Sequence, residues 1–190
     1  MNKLTHAAAK TVFSGVVDYA IGQVNKNPEE AYEKIIDTAE KHMKDFQTGV
    51  NWDYLRRVAC NPEYTLNRYV TSIVKDLHPN VLKTTLMNLG FEALYNGTKT
   101  IREMRKIHNC NIPWIILMDP TSACNLHCTG CWAAEYGNKL NLSFEDMDSI
   151  VTQGKELGVY FYMMTGGEPM VRKKDIIELC RKHNDCVFFA

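Results

Sequence analysis

Trp114-Ile115-Ile116-Leu117-Met118, then Asp119-Pro120-Thr121-Ser122, then Cys124-Asn125-Leu126-His127-Cys128-Thr129-Gly130-Cys131: these three runs decide how the chain is read. The first is short and nearly continuous in apolar residues, the pattern of a strand buried on both faces. The second is polar and carries a proline, so it reads as a breaker. The third places three thiols within eight residues on a loop after that strand. Three thiolates hold three corners of an iron–sulfur cube, and no fourth cysteine is in register beside them. An iron without a fourth protein ligand keeps an open coordination position, as catalytic metal sites do and closed structural sites do not.

Downstream of the cysteines the pattern alternates. Ser143-Phe144-Glu145-Asp146 reads as a capping box with Asp in place of Glu, opening a helix lined by Phe144, Met147, Ile150, Val151 and Leu157. Gly158 closes it, and Val159 to Met164 is a second strand ending at Thr165-Gly166-Gly167-Glu168-Pro169. Lys173 to Asn184 is a further helix, with Ile176, Ile177 and Cys180 inward, and Cys186 to Ala190 opens a third strand. The order β-α-β-α-β calls for a parallel sheet with right-handed crossovers. The predicted fold class is therefore α/β. Both the cysteine run and the glycine pair then fall at the C-terminal ends of parallel strands, where β/α barrels and open α/β sheets place their sites.

Cys-x3-Cys-x2-Cys after a first strand, with Gly166-Gly167-Glu168-Pro169 at the end of a second, resembles the radical S-adenosylmethionine (radical SAM) enzymes. The resemblance covers residues 112–190 and implies the start of a partial (β/α) barrel. It implies that Cys124, Cys128 and Cys131 ligate a 4Fe–4S cluster whose open iron chelates the amino and carboxylate groups of S-adenosylmethionine (SAM). It also implies that Gly166, Gly167, Glu168 and Pro169 receive the SAM ammonium through backbone oxygens and the Glu168 carboxylate. The implied reaction is reductive cleavage of SAM to methionine and a 5′-deoxyadenosyl radical that abstracts hydrogen from a substrate. A reductant such as flavodoxin or ferredoxin is the implied partner. One departure stands out: the residue before the third cysteine is often aromatic in that family and here is Gly130, with Trp132 just beyond the loop.

Other readings of the same residues stay open. The three thiols with His127 make a zinc set, although His127 lies close to two of them for tetrahedral closure. A non-catalytic iron–sulfur electron-transfer or interaction module is the alternative function. Cys60, Cys110, Cys180 and Cys186 fit no ligand spacing, and Cys180 and Cys186 read as structural. Glu135 and Tyr136 follow the cluster loop closely without a role of their own.

The first 110 residues carry no strand signal. Val12, Val16, Val17, Ala20, Ile21 and Val24 recur at helical spacing, and Asn27-Pro28-Glu29-Glu30 is a helix start with a cap, a proline at the first helical position and acids in the first turn. Ala31, Ile35, Ala39, Met43 and Phe46 mark one face of that second helix. Leu66, Tyr69, Val70, Ile73, Val74 and Leu77 form the clearest stripe, and Leu82, Leu86, Leu89 and Ala93 continue the pattern to a stop at Asn96-Gly97. The expected organisation is an α-helical N-terminal domain at 1–110 and the first β-α-β-α-β part of a radical SAM core at 111–190. Three strands fall short of the six β/α units usual in that family, so the reading expects the N-terminal part of a longer enzyme.

Composition narrows the class further. The chain is 45% hydrophobic and 23% charged, that of an ordinary globular protein, with 22 basic and 22 acidic residues. Up to Cys110 there are 15 basic and 12 acidic residues and beyond it 7 and 10, too even for a nucleic-acid footprint. Seven cysteines, an odd number with three clustered, do not form a disulfide framework. No stretch is long and apolar enough to span a bilayer, and the expected compartment is the reducing cytoplasm.

Overall fold

The computed structural model describes residues 3–43, 51–131, 137 and 139–190. Trp132, Glu135, Tyr136 and Phe46 lie outside the described residues, as does the side chain of Met43. The chain forms two compact units, Met1–Thr84 and Thr85–Ala190.

The first unit is helical: α1 (Lys3–Lys26), α2 (Pro28–Met43), α3 (Trp52–Ala59), α4 (Thr65–Asp76) and most of α5 (Pro79–Leu86). Its core gathers Val24, Ala31 and Tyr32 with Ile35, Ala59, Cys60, Val70 and Val74 packed on them. Val17 and Val24 face inward on α1, whereas Val12 and Val16 are exposed, because at 100° per residue they fall off the face those two define. A similar turn occurs in α4. Leu66 and Tyr69 lie outward and Asn67 is buried, since its side-chain amide donates to the Ala59 carbonyl and the Thr71 hydroxyl pairs with that of Tyr32 at 2.9 Å. Two satisfied polar groups join Val70 and Val74 on the inward face of this helix, in place of Leu66 and Tyr69 from the apolar stripe that its sequence suggests.

In the second unit α5 runs on into a π-helix, Met87–Gly97, and then into α6 (Thr98–His108). The expected stop at Asn96-Gly97 is absent, and Gly97 keeps right-handed helical angles. Its lack of a side chain serves packing instead. A Cβ there would run into the Gly158 carbonyl, and a Cβ on Gly158 (φ +93°) would come within 2.6 Å of the Gly97 carbonyl. Asn109, in the left-handed region, ends α6, and Arg105 donates to the Ile112 carbonyl at 3.0 Å, fixing the lead into the sheet.

Three parallel strands follow in spatial order β1-β2-β3: β1 (Ile115–Thr121), β2 (Phe161–Gly166) and β3 (Val187–Phe189). They are linked by α7 (Phe144–Glu156), by a 3₁₀ turn (Pro169–Arg172) and by α8 (Lys173–Lys182). This is the α/β class expected, an open parallel sheet that matches the start of a partial barrel. The capping box is present as read: Ser143 Oγ accepts from the Asp146 N–H at 3.0 Å, and Asp146 Oδ2 accepts from the Ser143 N–H at 3.1 Å. Met147, Val151, Val159, Tyr162 and Leu179 form the sealed centre of the core, joined by Ile101 from α6. The Tyr162 hydroxyl sits 2.9 Å from the Val159 carbonyl and 3.1 Å from that of Val151, so this buried phenol is paired.

Pro120 does not end β1. The strand continues to Thr121 through an irregularity, pairing Met118 with Met164 and then Thr121 with Gly166, so two residues on β1 oppose one on β2. A proline is tolerated there because β1 is an edge strand and a bulge needs no ladder N–H from it.

Candidate metal centre

The site lies where β1 and β2 end together. Thr121 is its hub and is almost fully buried. Its hydroxyl bonds to Asn141 Oδ1 at 2.6 Å and accepts from the Ala123 N–H at 3.0 Å, while its carbonyl accepts from the Gly167 N–H at 2.9 Å. The Glu168 N–H then donates to the Ala123 carbonyl at 2.9 Å. The glycine-rich turn is thus hydrogen-bonded to the residue directly ahead of Cys124. The far end of the cysteine loop is tied to the same place: Ser122 N–H donates to Leu140 O at 2.8 Å, and Leu142 N–H to Pro120 O at 3.1 Å.

Each glycine has a steric reason. A Cβ on Gly166 (φ +99°) would lie 2.7 Å from Asp119 Cβ and 2.9 Å from the Thr121 carbonyl, and one on Gly167 would enter the Ala123 carbonyl. Beside them the Thr165 hydroxyl donates to Asp119 Oδ1 at 2.8 Å, closing the strand ends. Glu168 caps the 3₁₀ turn, its Oε1 accepting from the Met170 N–H at 3.0 Å, and Pro169 is buried behind it.

Cys124, Cys128 and Cys131 are all exposed free thiols. The Leu126 N–H donates to Cys124 Sγ at 3.4 Å, Cys131 N–H to Cys128 O at 3.2 Å, and Gly130 takes φ +72° to make that turn. Among the described residues no three His, Cys, Asp or Glu side chains are gathered as a metal-holding group. The fold therefore brings the two motifs together by their backbones without drawing the three sulfurs to one point. The donor set nonetheless suits an iron–sulfur cluster: three accessible soft thiols, one already receiving an N–H, on a loop anchored at both ends.

Of the remaining cysteines Cys110 is also exposed, whereas Cys60, Cys180 and Cys186 are at least partly buried. Burial pushes the Cys186 thiol up to about 12 and raises those of Cys180 and Cys60. A thiol kept protonated is a poor ligand and a poor nucleophile, in keeping with a packing role. Thr121, Asn141, Asp119 and Thr165 were not singled out from the sequence. Their roles depend on partners brought from 20 to 46 residues away, with no local pattern to mark them.

Residues 118–187, the segment that carries both motifs, match the family model of the Radical SAM superfamily. A 65-residue stretch is 40% identical to the GTP 3′,8-cyclase of Geobacter sulfurreducens, covering 32% of this chain and 20% of that protein. The chain thus spans about a fifth of the length of this curated relative. No solved structure matches it. No helix among the described residues is long and apolar enough to cross a membrane.

Proposed function

We propose that this chain supplies the cluster- and SAM-binding residues of a radical SAM enzyme. Cys124, Cys128 and Cys131 ligate a 4Fe–4S cluster, and Gly166, Gly167, Glu168 and Pro169 receive SAM. One observation carries the reading: the Gly167 and Glu168 amides bond to the Thr121 and Ala123 carbonyls, so the second motif is hydrogen-bonded to the residue next to the first cysteine. Bound there, cluster and SAM supply one-electron reductive cleavage to methionine and a 5′-deoxyadenosyl radical. The chain's own residues set the geometry. The Leu126 N–H donates to Cys124 Sγ at 3.4 Å and orients the first of the three ligands. Glu168 gives one carboxylate oxygen to the Met170 N–H and leaves the other to accept from the SAM ammonium. The Thr121 hub holds both against reorganisation.

In this reading residues 1–110 form a helical N-terminal domain and 111–190 the first part of the core. The enzyme works in the cytoplasm with a flavodoxin- or ferredoxin-type reductant on a substrate bound elsewhere. Anaerobic reconstitution with iron and sulfide tests the proposal. The expected result is one cluster per chain, lost on replacing any of the three cysteines by Ala, and a dithionite-reduced paramagnetic spectrum that changes on adding SAM. A chain that takes up zinc in place of iron, or a reduced spectrum indifferent to SAM, would overturn it.

A further inference from the structure

Arg172 closes the 3₁₀ turn after Gly-Gly-Glu-Pro, and no step above uses it. Its side chain is only 20% exposed. Nη1 donates to the Pro120 carbonyl at 3.1 Å and to the Leu142 carbonyl at 2.7 Å, while Nε donates to Asp175 Oδ2 at 2.5 Å. The Asp175 contact is a local pairing at the start of α8. The two carbonyls are not local, lying 52 and 30 residues away in sequence. They also flank the cysteine loop: Pro120 stands four residues ahead of Cys124 and Leu142 eleven beyond Cys131. Leu142 N–H already bonds to Pro120 O, so the guanidinium sits on the joint where the loop leaves and re-enters the fold. A permanently charged, planar fork suits this task. It serves two carbonyls and a carboxylate at once, which a single ammonium on a flexible stem does less well.

We propose that Arg172 is a positioning residue that locks both ends of the cysteine loop to the turn carrying Gly166 to Pro169. It thereby holds the cluster ligands and the SAM-receiving turn in one register. The consequence for SAM rests on the function proposed above, whereas the clamp itself belongs to the polypeptide and is tested without cofactor.

Hydrogen exchange of the metal-free chain, compared among the native protein, Arg172→Gln and Arg172→Lys, reads the clamp directly. The expected result is faster exchange, on the order of tenfold, at residues 121–123, 140–142 and 167–168 in Arg172→Gln, with α7 and β2 unchanged and partial recovery in Arg172→Lys. If Arg172→Gln does not fold, Arg172→Lys against the native chain carries the same comparison. Unchanged exchange in those segments, or a rise spread evenly over the whole unit, overturns the proposal. In reconstituted protein, Arg172→Gln is expected to keep its iron content while needing on the order of tenfold more SAM for half of the spectral change. An equal loss of iron and of SAM response would make Arg172 merely structural. A native chain whose spectrum ignores SAM would sink the functional reading and leave the exchange result to decide the clamp.

Discussion

Two pairs of close-packed glycine contacts mark the opposite ends of β2. Ahead of the strand, Gly158 meets Gly97, strand lead-in against helix backbone. At its end, Gly166 meets Asp119 and the Thr121 carbonyl of β1, and Gly167 meets the Ser122-Ala123 backbone just beyond it. The steric demand is the same at both: main chain against main chain, with no room for a methyl group. Their settings differ. Gly97 and Gly158 adjoin Tyr160, Thr100 and Ile101 at the edge of the core, whereas the second pair adjoins a loop of exposed thiols. Glycines at a close approach are therefore not a site in themselves. What sits across the contact decides whether the joint only packs or also orients chemistry.

Mutating the two joints separately is the way to break this comparison. Gly158→Ala carries the largest expected effect, since it combines a left-handed backbone with backbone overlap. A loss of about 3 kcal/mol is expected from urea unfolding, with the labelling rates of Cys124, Cys128 and Cys131 unaltered. Altered thiol labelling would mean that the two ends are not independent. Gly167→Ala is expected to remove about 2 kcal/mol, together with the Gly167–Thr121 hydrogen bond, and to change the labelling rate of Cys124. Stability loss with labelling unchanged would reduce this joint to the status of the other.

Two smaller effects sharpen the contrast by touching neither joint. Ser143→Ala deletes the cap of α7 and is expected to lower stability by about 1 kcal/mol, read from the shift in the urea midpoint. The smallest effect is on pH. Hydrogen bonds from Lys182 and then His183 hold the Asp148 carboxyl below its usual 3.8. The stabilisation is therefore fully present above that pH and fades as pH falls through the lowered value. Asp148→Asn is expected to flatten this acid limb of the stability profile, with thiol labelling untouched.

How much of this was legible in the chain depended on how local each cause is. The Ser143–Asp146 box spans four residues, and the order of strands and helices after Trp114 follows from short-range periodicity; both appear as read. The two breaker signals at Asn96-Gly97 and Pro120 read as breaks, yet one is a continuous helix and the other a bulge. In each case the partner that explains the residue, Gly158 or Gly166, is more than 40 residues away. The rotation of α4 was hidden for the same reason, because the groups that satisfy Asn67 and Thr71 sit on other helices. At the candidate site the residue types were visible from spacing. Their mutual placement through Thr121 was not, as it rests on carbonyls, which leave no mark on a sequence.

The odd residue in β1 has a further bearing on how such chains are compared. Two residues opposed to one at Asp119-Pro120 lengthen β1 by one residue while Thr121 still pairs with Gly166. A chain with the same eight-residue thiol run, but one residue fewer between Met118 and that run, could keep both the Thr121–Gly166 pairing and the Thr121-to-Cys124 spacing only without the bulge. The count of residues before the first sulfur is as much a part of the address as the spacing between the sulfurs.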